Sequence, residues 1–111
     1  MLIPGEWHPD RDGAICPVIR GLVEAADGTW VRTVFLLDTG AATTLLTADV
    51  LAELGVEQLP SPVLLGGVGG PVDSVWAKTR ISLKRHTGTW ITINGPFSAA
   101  TDPRAAPRSA L

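Results

Sequence analysis

Val34-Phe35-Leu36-Leu37-Asp38-Thr39-Gly40-Ala41 is the stretch on which the reading of this chain turns. Four consecutive apolar residues suit a strand buried on both faces, and an acid follows them directly. Upstream, residues 29–37 are dense in β-branched and aromatic side chains, and residues 15–24 form a second Ile/Val/Leu-rich run. Ala25-Ala26-Asp27-Gly28 lies between the two runs, and Asp-Gly suits a hairpin turn, so the two runs are expected to pair antiparallel. Asp38 then emerges at the end of a core strand. Thr39 adds a small hydroxyl, and Gly40 allows backbone or ligand to come close. A carboxylate held in such a loop is a candidate for acid–base work. The same three residue types also form ordinary turns, and alone they would mean no more than that.

Working outward toward the C-terminus, Thr47 can cap a short helix over residues 48–54, and Gly55 can end it in the left-handed conformation. Val50, Leu51 and Leu54 fall on one side of that helix. Pro60 and Pro62 mark a loop. Val63-Leu64-Leu65 then leads into Gly66-Gly67-Val68-Gly69-Gly70, and residues 72–84 read as one long strand. Val75, Ala77, Thr79, Ile81 and Leu83 alternate along it with Trp76, Lys78, Arg80, Ser82 and Lys84, as in a sheet with one solvated face. The four glycines are costly in backbone entropy, which suits a hairpin tip that opens and closes. A phosphate-cradling loop fits poorly, because no Lys-Ser/Thr and no helix start follow. Residues 86–88 make a turn and residues 90–93 a last strand. No internal repeat is evident.

Toward the N-terminus, residues 1–14 hold Pro4, Gly5, Pro9 and Gly13 and keep no period, so they read as an irregular arm. From residue 95 onward the chain has three prolines, five alanines and little to bury, so it reads as a disordered tail or a truncated domain end. The expected organisation is an arm at 1–14, one domain at 15–94 and a tail at 95–111. A chain of 111 residues with 45% hydrophobic and 18% charged residues fits a single small domain, for which association is the leading source of extra stability. The single cysteine, Cys16, excludes an internal disulfide framework and a multi-thiolate zinc site. The net charge is −2 and the seven arginines are scattered along the sequence, so no nucleic-acid partner is expected. With no apolar span and no export signal visible, a cytoplasmic protein without membrane contact is expected.

The two central motifs, residues 35–41 and, about 25 residues later, 64–70, together resemble the retropepsins, the retroviral-type aspartic proteases, and their bacterial relatives. The resemblance covers roughly residues 15–83. It implies a mainly β fold: a small acid-protease lobe built on a closed or folded sheet, with a flap hairpin and one short helix. It also implies an aspartic endopeptidase, in which Asp38 is catalytic and Thr39 and Gly40 support its loop. Gly40, Ala41 and Val68 would meet substrate, and Gly66, Gly67, Gly69 and Gly70 would form the flap. Aspartic proteolysis needs two carboxylates sharing a proton, and this chain has one Asp-Thr-Gly. Asp38 must therefore pair with Asp38 of a second copy across a two-fold axis, making a homodimer that takes a peptide or protein substrate, with no cofactor and no metal.

The sequence departs from the family pattern in two places. Members usually carry two apolar residues and a glycine after the flap strands, a segment that threads beside the aspartate loop, and Ile93-Asn94-Gly95 is a poor substitute for it. Ala42 stands where an acidic or small polar residue is usual. These departures motivate the alternative of a non-catalytic dimerisation or peptide-binding module, or of an inactive truncated fragment. His8 and His86 are isolated and read as solvated. Cys16 reads as a buried small residue, and Trp30 and Trp76 as packing or cleft residues.

Overall fold

The computed structural model of the chain describes residues 3–9, 13–37, 44–60, 74–101 and 109–110. Among these, ten strands and one helix follow in the order β1 (Glu6–Pro9), β2 (Ile15–Glu24), β3 (Trp30–Leu36), β4 (Leu45–Leu46), α1 (Ala48–Leu54), β5 (Gln58–Pro60), β6 (Ser74–Ala77), β7 (Arg80–Lys84), β8 (Trp90–Asn94), β9 (Phe97–Ala100) and β10 (Ser109–Ala110). The expected hairpin is present. β2 and β3 pair antiparallel from Val18 opposite Leu36 to Glu24 opposite Trp30, with Gly28 at φ 87° in the turn, a backbone angle that glycine adopts freely.

The strands form one sheet in the order β5-β6-β9-β4-β10-β3-β2-β7-β8, with β1 paired to the outer part of β2. β6 and β7 are separated only by Lys78 and Thr79, yet they stand near opposite ends of that order. The sheet must therefore fold back on itself. Its end strands β5 and β8 do not pair with each other among the described residues, so the sheet is folded and mainly β, and the closed form of the expectation does not hold.

The single long strand expected over residues 72–84 is instead two. Backbone groups at the corner bond elsewhere: Lys78 N–H donates to Glu57 O at 3.1 Å, and Thr79 O accepts from Gly95 N–H at 2.9 Å. The Thr79 hydroxyl donates to Glu24 O at 2.5 Å and ties the corner to β2. The alternation itself survives the bend, with Ala77, Thr79, Ile81 and Leu83 buried and Lys78, Arg80 and Lys84 exposed. Ser82 is buried as well, against the expected pattern, and its hydroxyl shares a hydrogen bond of 2.7 Å with Thr92.

The core lies between the folded halves of the sheet and α1. Phe35, Leu46, Val23 and Ile81 are fully buried, with Leu51 and Leu54 of the helix packed against them. Helix α1 has the span expected, and Gly55 ends it at φ 62° with its N–H on Leu51 O. Thr47 holds the cap position with extended backbone, but its side chain makes no capping bond. The Thr47 hydroxyl instead bonds Asp49, chiefly thereby holding that carboxyl below its usual range.

Both chain ends differ from expectation. Within the arm, β1 pairs antiparallel with β2, Glu6 opposite Val18 through Pro9 opposite Ile15. Within the tail, all four residues of β9 are buried, and β9 pairs with β4 and β6. Alanine and serine hide a strand from a reading based on large side chains, but they fit where neighbouring strands crowd closely.

Candidate active site

β3 delivers the chain to the candidate catalytic aspartate. Phe35 is fully buried, while Leu37, the last described residue before Asp38, is 39% exposed, so the strand passes from core to surface at this point. Leu37 N–H donates to Pro17 O at 3.0 Å, which extends the β2–β3 pairing up to the start of the motif. Residues 38–43 lie outside the described residues, and with them Asp38, Thr39, Gly40 and Ala41. The chain is described again at Thr44 and enters β4.

The strands on either side of that motif are not neighbours. β10 lies between them, parallel to β3 with Ser109 opposite Phe35 and Ala110 opposite Leu36, and antiparallel to β4 with Ala110 opposite Leu45. Residues 109–110 therefore thread beside the strand that leads to Asp38, a place for which the sequence offers only Ile93-Asn94-Gly95 as a poor substitute. Two residues offer no periodicity to detect, and only the pairing reveals them. On its other side β3 is held by the full length of its pairing with β2, so the aspartate follows a strand fixed on both edges.

The glycine-rich segment is framed by a second antiparallel pair. β5 and β6 run from Gln58 opposite Ala77 to Pro60 opposite Val75. Gly66, Gly67, Val68, Gly69 and Gly70 belong to the connection between these strands, residues 61–73, and lie outside the described residues.

The remaining polar residues form two ion-pair clusters, one on β1 and β2 with Glu6 opposite Val18, which itself faces Leu36 at this end of β3, and one at the far end of β2 around Glu24. His8 is not isolated: its Nε2 lies 2.7 Å from Glu6 Oε2, and Arg20 Nε donates to Glu6 Oε1 at 2.7 Å. The Arg20 bond first, and the His8 bond second, hold the Glu6 carboxyl down to about 2. Arg80 binds Glu24 through two nitrogens, holding that carboxyl below its usual range, and lies 5.5 Å over the Trp30 ring. Trp30 is thus engaged in an ion-pair cluster rather than lining a cleft, and Trp76 is half-buried on β6. His86 is exposed on the β7–β8 turn. Cys16 is half-buried rather than buried, and its thiol donates to Ala14 O at 3.7 Å. Among the described residues, no three His, Cys, Asp or Glu side chains are grouped to hold a metal, and no helix is long and apolar enough to cross a membrane.

Comparison with known proteins agrees with this layout. The aspartyl protease family matches over residues 23–93, a span that runs from the β2–β3 hairpin into β8. Among solved structures, EIAV protease complexed with the inhibitor HBY-793 aligns with a TM-score of 0.58 and 26% identity, over 86% of this chain and 80% of that chain. No curated protein sequence matches. A buried strand leading toward Asp-Thr-Gly, a segment threaded beside it and a strand pair on either side of the glycine-rich connection occur here together, and the chain belongs to the aspartyl protease family, with a retropepsin-like fold.

Proposed function

We propose that the chain works as a homodimer in which two Asp38 carboxylates, one from each copy, activate the water that hydrolyses a peptide bond. The observation that supports this reading is the placement between β2 and β10 of β3, the strand that the chain's single Asp-Thr-Gly follows in sequence. One carboxylate cannot serve as base toward water and acid toward the carbonyl in the same step, so the partner acid must come from a second copy. A row of apolar side chains beside the motif supports that partner. Trp7 stands opposite Pro17, and Pro17 is bonded to Leu37, so the three share one rim; Trp7 is 72% exposed and Leu37 39%. Ile15, on the same face of β2 as Pro17, is exposed too. Apolar surface of this kind on a small domain marks a contact site.

In this reading the ionised carboxylate takes a proton from water as the oxygen attacks the carbonyl carbon, and the protonated one gives its proton to the carbonyl oxygen. Collapse of the tetrahedral intermediate returns a proton to the leaving nitrogen. Thr39 and Gly40 hold the loop, Gly40, Ala41 and Val68 meet the substrate, and the glycines at 66, 67, 69 and 70 let the arm on β5 and β6 close over it. The retroviral relative is an inhibitor-bound protease, and the substrate here is accordingly a peptide or protein.

The test compares wild type with Asp38→Asn on a peptide library at mildly acidic pH, with sedimentation run alongside. Asp38→Asn should leave the circular dichroism unchanged and lower turnover by about three orders of magnitude or more. Rate against pH should be a bell belonging to the pair, and specific activity should fall on dilution toward monomer. Full activity in Asp38→Asn, or undiminished specific activity in a sample that sediments as monomer, rejects the shared dyad. A wild type that dimerises and binds peptide without cleaving it is the non-catalytic module.

A further inference from the structure

Cations scattered along the sequence meet on one face of the folded sheet, away from the core and on the opposite side from Pro17, Ile19 and Val23. Arg32 stands opposite Leu22, and Leu22 opposite Ser82. One row along, Arg20 stands opposite Val34 and Lys84 opposite Trp90, while Gly21 opposite Leu83 sets Arg20 beside Lys84. Arg20, Leu22, Arg32, Val34 and Trp90 line a shallow hollow here, and Trp90 is 48% exposed. Arg20 is already paired with Glu6, and Arg80, one row farther, with Glu24. Arg32 and Lys84 have no acidic partner among the described residues. The face thus carries surplus positive charge on a chain whose net charge is −2.

We propose that this face captures an extended acidic polypeptide segment from another protein, with two carboxylates four residues apart and an apolar side chain midway between them. The spacing follows from sheet geometry. Arg32 and Lys84 are two strands apart and offset by one row, which separates their backbones by about 12 Å. Carboxylates at positions i and i+4 of an extended peptide are about 13 Å apart, and residue i+2 projects on the same side, over Leu22 and against Trp90. The arrangement favours a peptide over a nucleic acid. Among the described residues of this face only two cations lack an acidic partner, and the Glu6 and Glu24 carboxylates flank them, where they would repel a continuous phosphate backbone. The inference stands apart from the Asp38 chemistry, since none of its residues belongs to that motif.

The probe is a fluorescein-labelled Ser-Glu-Ser-Leu-Ser-Glu-Ser peptide, titrated with the full chain at low salt and followed by anisotropy. Saturable binding is expected, and the double variant Arg32→Glu/Lys84→Glu should weaken it about tenfold. A peptide with Gln for both Glu should bind correspondingly less, and 0.5 M salt should weaken the wild-type complex. The single variants Arg32→Gln and Lys84→Met, with folding checked by circular dichroism, carry the test if the double variant does not fold; each should weaken binding severalfold. Absence of saturable binding, equal affinity for the Gln peptide, unchanged affinity in folded variants, or tighter binding of a dT oligonucleotide than of the peptide each overturns the proposal.

Discussion

The turns of the β2–β3 and β7–β8 hairpins are built alike, yet their strands meet opposite fates. Ala25-Ala26-Asp27-Gly28-Thr29-Trp30 and Arg85-His86-Thr87-Gly88-Thr89-Trp90 share Gly-Thr-Trp. In the first, Ala25 N–H bonds Thr29 O at 2.7 Å and Gly28 N–H bonds Ala25 O at 3.0 Å; Arg85, Thr89 and Gly88 repeat those bonds at 2.7 and 3.0 Å. The glycines sit at φ 87° and 92°, and a Trp follows in register with Glu24 in one hairpin and Lys84 in the other. The repeat is short in sequence, because it lies in a few turn residues and not in the strands.

The surroundings differ. The first turn is tied to the helix through Ala26 N–H on Leu54 O at 2.9 Å, and the Asp27 carboxylate accepts from Thr29 N–H and hydroxyl at 3.0 and 2.6 Å. No backbone bond among the described residues leads from the second turn to another element. β3 lies between β2 and β10, whereas β8 ends the sheet. The comparison teaches that local chemistry makes the hairpin, and tertiary position decides which hairpin is enclosed within the sheet.

The largest expected contrast is between the strands. Phe35→Ala, at a fully buried position on β3, should cost about 3–5 kcal/mol, whereas Ile93→Ala, at a position 41% exposed on β8, should cost less than about 1 kcal/mol. Urea unfolding measures both, and equal losses would mean that β8 has a covering partner.

Exchanging the turn glycines should show the opposite of a contrast. Gly28→Ala and Gly88→Ala each place a Cβ at positive φ with nothing within 4 Å of it, so the cost is backbone strain alone, about 1 kcal/mol in each. Melting temperatures that differ markedly between the two would show that the helix contact, not the turn, sets the first hairpin.

The smallest effect separates the turns by pH. Hydrogen bonds from Thr29 hold the Asp27 carboxyl below its usual range. A carboxyl lowered by folding contributes stability above its unfolded value, and that contribution is lost as pH falls through the folded one. Asp27→Asn should therefore be less stable than wild type near neutrality, and the difference should shrink below about pH 4. Thr87→Ala, at the corresponding place in a turn without a carboxylate, should shift stability equally at both pH values. Denaturant midpoints measured across that range distinguish the two.

Residues 15–37 and 48–55 were legible because their signals are local. An apolar run ending at Asp38, an Asp-Gly turn, and a helix stopped by Gly55 each depend on the chain's own near neighbours. The sequence by itself determined the β2–β3 hairpin, the short helix and the family to which Asp-Thr-Gly and the glycine cluster belong. Tertiary structure alone decided four things: the corner at Lys78 and Thr79, the burial of β9, the insertion of Ser109 and Ala110 beside β3, and the gathering of Arg20, Arg32 and Lys84 on one face. Each of these rests on groups far apart in the chain, and backbone pairing between distant segments leaves no period in the residues that make it.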